Sequence, residues 1–136
     1  MTNATTETAA TTRTISSAEL FNLISKDERN ALRTSDGAED KLKTHVVYSA
    51  WEDLKAFEHA NREIERCRER IARECATLNP RRDSDCVSMD WIASATHDLA
   101  KAVEQRNAAH RRATSLLELM HRVGLLADAM VPDFNA

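Results

Sequence analysis

Apolar residues recur at alternating steps of three and four over two long stretches of the chain. This spacing is that of a heptad seam, in which one stripe of a helix faces a partner helix. It predicts helices over residues 38–78 and 87–130. The first series contains Leu54, Phe57, Asn61, Ile64, Arg68, Ile71, Cys75 and Leu78, and the second contains Ile92, Ala95, Leu99, Ala102, Arg106, Ala109, Ala113, Leu116, Met120, Val123, Ala127 and Met130.

A shorter helix is predicted before these two, over residues 16–33. Ser16 and Glu19 form a capping box, in which the serine hydroxyl accepts a hydrogen bond from the backbone amide three residues on. Gly37 separates this helix from the next one, because glycine readily adopts the left-handed conformation that ends many helices. Residues 1–14 show no apolar periodicity, and we expect them to form a disordered tail.

The order of these helices predicts an all-α fold with an antiparallel, coiled-coil-like helical hairpin at its centre. The break between the two long helices is short, and a short connection makes sequential helices antiparallel neighbours. Ala95, Ala102 and Ala109 recur every seven residues, so one column of the seam consists of small side chains that allow close packing. We expect the short helix to pack at the open end, and residues 15–136 to form a single helical domain.

A second apolar column lies beside the first on the third helix. It contains Val103, His110 and Leu117, and Trp51 adds another large side chain on the second helix. One hairpin seam cannot cover all of these side chains, and a contiguous exposed apolar patch usually marks an association surface. We therefore expect a homodimer in which two hairpins form a helical bundle.

Composition narrows the class of protein further. With 2 glycines and 2 prolines in 136 residues, the chain has too few turn residues for a β-sandwich or a doubly wound α/β sheet. Its net charge of −3 makes nucleic acid an unlikely partner, since nucleic-acid-binding proteins usually carry a basic excess. The 3 cysteines, without an apolar export segment, predict reduced thiols and a cytoplasmic location, and no stretch is apolar enough for a membrane span.

The candidate binding residues are arginines near the hairpin tip and three aromatic side chains. Arginines outnumber acidic residues between positions 62 and 82, and such a tip could dock an acidic protein surface or, more weakly, a phosphate backbone. Tryptophans are frequent anchors of interfaces, and the C-terminal segment is apolar for a chain end. The predicted partner-binding residues are Arg70, Arg73, Arg81, Arg82, Trp51, Trp91 and Phe134.

One pair of residues suggests metal chemistry. Glu118 and His121 are three residues apart, which places a carboxylate and an imidazole on one helix face, as in the di-iron carboxylate bundles. Those sites use two such steps and two further inward glutamates, whereas this chain has one step. We therefore expect no metal, no cofactor and no catalytic residue, and we keep a metal-dependent helical-bundle enzyme as an alternative.

These observations together predict a non-enzymatic protein–protein interaction module. Small phage-encoded or accessory inhibitors and assembly factors are proteins of this kind, and they act by binding a partner protein. The two alternatives are the metal-dependent enzyme built on Glu118 and His121, and weak nucleic-acid binding through the arginine-rich hairpin tip.

Overall fold

The computed structural model describes residues 12–34, 38–77 and 85–136. The elements follow in the order β1 (Arg13–Ile15), α1 (Ser17–Thr34), α2 (Ala38–Thr77), α3 (Asp85–Arg122) and β2 (Met130–Pro132). The long helices α2 and α3 pack against each other as a helical hairpin, which confirms the predicted all-α architecture. The predicted tail up to residue 11, the predicted break at Gly37, and Arg81 and Arg82 lie outside the described residues.

The start of α1 follows the predicted capping pattern. The backbone amide of Glu19 donates a hydrogen bond to the Ser16 hydroxyl at 3.2 Å, and the amide of Leu20 donates to the Ser16 carbonyl at 3.1 Å. The first bond satisfies one of the amides that have no partner within the helix, and the second is the first bond of the helical ladder itself. Ser16 therefore caps the helix and fixes its first residue at Ser17.

Helix α3 ends at Arg122, eight residues before the predicted end at residue 130. The cause is Gly124, whose φ of +84° lies in the left-handed region. Its amide donates to the carbonyl of His121 at 3.1 Å, and the amide of Leu125 donates to the carbonyl of Met120 at 2.8 Å. This pair of bonds is a Schellman motif, which closes a helix and turns the chain away from its axis. The prediction of a helix through residue 130 is therefore wrong.

A two-stranded parallel ladder joins the two ends of the described chain, where the sequence pattern predicts no strand. Arg13 pairs with Met130 and Ile15 pairs with Pro132. Two backbone bonds flank the ladder, from the Arg13 amide to the Ala129 carbonyl at 3.0 Å and from the Asp133 amide to the Ile15 carbonyl at 3.1 Å. Arg13, assigned by the sequence analysis to a disordered tail, therefore begins a strand.

The described residues form two compact units, the first from those up to Lys55 together with Ala109–Ala136 and the second from those within Ala56–Ala108. The first unit contains a buried apolar cluster to which both long helices, α1, β1 and the segment after α3 contribute. Its buried members are Ile15, Leu20, Ile24, Ala50, Leu54, Ala113, Leu117, Met120 and Leu126.

The core of the second unit pairs large side chains of α2 with small ones of α3. Phe57 and Ile64 are buried on α2, and Ala95 and Ala102 are buried on α3. The predicted alanine column thus lies inside the hairpin seam. No helix in the described part of the chain is long and apolar enough to cross a membrane.

Truncating a buried leucine of the first unit tests this packing. Leu117→Ala is expected to lower the free energy of unfolding by about 3 kcal/mol, because lost methylene groups leave a cavity in a close-packed core. The side chain of Leu117 is completely buried, whereas Leu119, two residues on in the same helix, is 37% exposed. Leu119→Ala is the matched control and should cost about 0.5 kcal/mol or less. Urea denaturation followed by circular dichroism measures both, and equal losses would contradict the assigned core.

A substitution at the end of α3 tests the Schellman motif. Gly124→Ala is expected to lower the free energy of unfolding by about 1 kcal/mol, because a Cβ atom disfavours the left-handed conformation. Steric contact contributes nothing, since a Cβ atom at this position would meet no other atom within 4 Å. Gly124→Asn should cost less than Gly124→Ala, because asparagine tolerates this conformation better. The same urea titration ranks the two variants, and the reverse order would argue against a left-handed residue here.

Candidate functional site

A groove runs between α2 and α3 in the second unit, and we call it the hairpin groove. Its volume is about 450 Å³. Polar and charged side chains form most of its lining, and Cys67 and Ala102 complete it. The lining residues are His59, Glu63, Arg66, Cys67, Arg70, Asp98, Lys101, Ala102 and Gln105.

The helical repeat explains why these side chains line one groove. On α2, His59, Glu63, Arg66 and Arg70 follow one another at steps of four, three and four residues. Residues at such steps lie on one helix face. On α3, the polar lining residues follow at steps of three and four in the same way. Each helix therefore contributes one column to the groove.

The groove contains three basic and two acidic side chains. Arg66 and Glu63 form an ion pair with each other on α2. In the described part of the chain, Arg70, Lys101 and Asp98 form no salt bridge. The charge available to a ligand is thus two cations and one carboxylate, besides the imidazole of His59.

Trp91 contacts one of the lining side chains. The guanidinium carbon of Arg70 lies 5.0 Å from the centre of the Trp91 ring, within the range of a cation–π interaction. The Trp91 side chain is nevertheless 54% exposed. Two of the candidates named from the sequence, Arg70 and Trp91, therefore meet, and an accessible aromatic ring adjoins the hairpin groove.

Trp51 has a different environment, within the first unit. Its ring centre lies 5.5 Å from that of Phe21 and 6.5 Å from that of Tyr48. The ammonium group of Lys55 lies over the ring at 3.6 Å. Trp51 is half-buried and packs against the apolar cluster, so its ring is largely engaged within its own chain.

The remaining candidates are exposed or lie outside the described residues. Phe134 is 57% exposed, and its ring centre lies 5.4 Å from that of His110 in the first unit. Arg73 is exposed on α2, where its backbone carbonyl accepts a bond from the Thr77 hydroxyl at 3.3 Å. Arg81 and Arg82 are outside the described residues, so their place at the tip remains a prediction.

Glu118 and His121, the basis of the metal alternative, each contact a group of their own chain. The Glu118 carboxylate forms a salt bridge of 3.4 Å with Arg122. Nδ1 of His121 lies 3.1 Å from the carbonyl oxygen of Leu126, to which a protonated nitrogen donates. Among the described residues, no group of three or more histidine, cysteine, aspartate or glutamate side chains is placed to hold a metal ion.

Lys101 and Gln105 are site residues that the sequence analysis does not single out. Their three-and-four spacing with Asp98 is visible in the sequence, but it is also typical of any solvent-facing stripe of a helix. Only the register of α3 against α2 shows that this stripe borders the column that contains Arg70. No protein-family model, curated protein or solved structure matches the chain.

A metal titration tests the alternative built on Glu118 and His121. Purified protein is expected to carry no stoichiometric iron, manganese or zinc, because both side chains already have partners within the chain. Elemental analysis and the thermal midpoint with added Zn²⁺, Mn²⁺ or Fe²⁺ measure this, since a metal that binds only the folded state raises the midpoint. A stoichiometric metal that disappears in Glu118→Ala would contradict the expectation.

Proposed function

We propose that the chain is a non-enzymatic protein–protein interaction module that binds a helical segment of a partner protein along the hairpin groove. The observation that carries this proposal is the half-exposed Trp91 ring, held by Arg70 beside the groove. Two helices that lie side by side offer the type of groove in which an amphipathic third helix binds. Inhibition and assembly are both roles that such binding could serve.

Trp91 would supply much of the binding energy. Tryptophan is prominent among the residues that dominate interface energetics, because its ring buries a large area with few rotatable bonds. At 54% exposure, much of this ring is still available for contact. The guanidinium of Arg70 also restricts the position of the ring before binding, which reduces the entropy lost on association. We therefore infer that an apolar side chain of the partner packs against Trp91.

The charges of the groove indicate which partner helices fit. Arg70 and Lys101 both lack a salt bridge in the described part of the chain. Acidic side chains on the partner would pair with these two groups, and pairing with arginine can be bidentate. Asp98 sets a limit, because an acidic residue placed next to it would be repelled. The preferred partner is thus an amphipathic helix with a few acidic residues beside its apolar stripe.

A single-tryptophan variant makes this proposal measurable. The chain has 2 tryptophans, so Trp51→Phe leaves Trp91 as the only reporter of indole fluorescence. The probe is a synthetic amphipathic helical peptide with glutamates flanking its apolar stripe, and the comparison peptide has lysines at the same positions. We expect the acidic peptide to shift the Trp91 emission to shorter wavelength and to bind about tenfold more tightly at low salt, since the salt bridges are weakened by screening.

Charge reversal supplies the control for this experiment. In the single-tryptophan background, Arg70→Glu should abolish the preference for the acidic peptide. Arg111→Glu makes the same change on an exposed position of α3 in the first unit and should leave it intact. Equal binding of both peptides, or equal effects of the two reversals, would overturn the proposed site.

A further inference from the structure

The apolar column that predicts a homodimer is largely covered within the first unit. Leu117 is completely buried, and the ring of His110 lies against that of Phe134 at 5.4 Å between centres. Trp51 packs against the apolar cluster. This column is therefore not the surface for a second copy, and the apolar side chains of the second unit offer another one.

Helix α3 carries a second apolar stripe in that unit. This stripe adjoins the buried Ala95 and Ala102 on the helix surface. The helical repeat places it on the other side of these alanines from the residues that line the groove. Met89 is 57% exposed, and the other large apolar members are half-buried. We call this series, which steps by three and four, the outer stripe; it consists of Met89, Ile92, Thr96, Leu99 and Val103.

Thr96 does not disturb the apolar character of the outer stripe. Its hydroxyl donates a hydrogen bond to the backbone carbonyl of Ile92 at 2.8 Å, so the hydroxyl is satisfied within its own helix. Threonine also presents a methyl group. An exposed threonine at the centre of the stripe therefore leaves room for close approach of another helix without requiring a polar partner.

We propose that a second copy of the chain covers the outer stripe, with a twofold axis that crosses both helices at right angles. Such an axis pairs each helix with its own copy in antiparallel orientation. If the axis passes between residues 95 and 96 of α3, Ile92 of each copy meets Leu99 of the other, which gives two equivalent contacts. The two large half-buried residues of the stripe nearest the axis therefore pair with each other.

Charges on α2 favour the same axis. Arg62 and Glu69 are both exposed and seven residues apart, so they lie on one helix face. Neither forms a salt bridge in the described part of the chain. An antiparallel copy centred between residues 65 and 66 would bring Arg62 to Glu69 of the other copy, and the reverse.

The two centres agree with the register observed within one chain. Arg70 lies opposite Trp91, and in an antiparallel hairpin each step forward on α2 is one step back on α3. Counted from this side-chain contact, the point between 65 and 66 lies within about one helical turn of the point between 95 and 96. One twofold axis satisfies both the apolar contacts of the outer stripe and the reciprocal ion pairs, and this complementarity identifies a second copy as the occupant.

The first measurement is the mass of the full chain in solution. Sedimentation equilibrium should give twice the chain mass of 15.3 kDa at micromolar concentration. A mass of 15.3 kDa up to millimolar concentration would overturn the proposal. This measurement does not involve the partner helix of the proposed function, so either proposal can fail alone.

Charge reversal then tests the position of the axis. Arg62→Glu and Glu69→Arg should each weaken self-association by about tenfold, because each places two like-charged contacts across the axis. An equimolar mixture of the two variants should regain wild-type affinity, since the two acidic side chains of one variant would then face the two basic side chains of the other. A mixture no stronger than its components would overturn the proposed pairing.

Two further sets of variants serve as controls. Lys101→Glu and Asp98→Lys make comparable reversals in the hairpin groove, and both should leave the mass unchanged. Thr96→Glu places two carboxylates beside the axis and should leave the protein monomeric with an unchanged circular dichroism spectrum. Ser94→Glu, also at an exposed position of α3, should remain a dimer. Dissociation by the groove reversals or by Ser94→Glu, or dimers that persist with Thr96→Glu, would overturn the outer stripe as the contact.

Discussion

The seam between α2 and α3 is the interaction on which the rest of the structure depends. In the second unit, Phe57 and Ile64 are buried on α2, and Ala95 and Ala102 are buried on α3. A buried alanine contributes only a methyl group to the hydrophobic free energy, so the large side chains of α2 supply most of the buried area. Because the small side chains occupy only the centre of the seam, residues on both its flanks remain available to line other surfaces.

The sequence predicts this seam well because heptad spacing is a local and repeated signal. It predicts the end of α3 poorly. Ala127 and Met130 continue the three-and-four series, yet the helix stops at Arg122 because Gly124 adopts the left-handed conformation. A single glycine with two backbone hydrogen bonds outweighs two apolar residues at the expected spacing: Met130 packs against the apolar cluster from β2 instead, and Ala127 is exposed.

The pairing of β1 with β2 is missed by the sequence pattern for a different reason. Each strand has three residues, too few for alternation of apolar and polar side chains to be recognised. The two strands are separated by almost the whole chain, and only the return of the segment after Gly124 brings them together. Strand pairing here is a consequence of tertiary structure, so no local property of Arg13–Ile15 indicates it.

The candidate site illustrates the same division between local and long-range information. Residue type suffices to mark Trp51 and Trp91 as potential anchors, but it does not indicate which of the two rings remains exposed. Trp51 is enclosed by Phe21 of α1 as well as by its own helix, while Trp91 meets Arg70 and stays half-exposed. The difference depends on which element lies opposite each ring, and therefore on helix register and on the course of α1.

The proposed dimer and the proposed partner helix use opposite flanks of the second unit. The hairpin groove contains Lys101 and Asp98, whereas the outer stripe contains Ile92 and Leu99. A twofold axis that brings the two outer stripes face to face directs the two grooves outward, on opposite surfaces of the pair. One short helix could then occupy only one groove, so each copy would bind its own partner helix.

A partner with two such helices on a linker long enough to reach around the pair would gain avidity from an effective concentration set by that linker. Dimerisation would in this way increase the affinity for a bivalent partner without adding any contact to the groove.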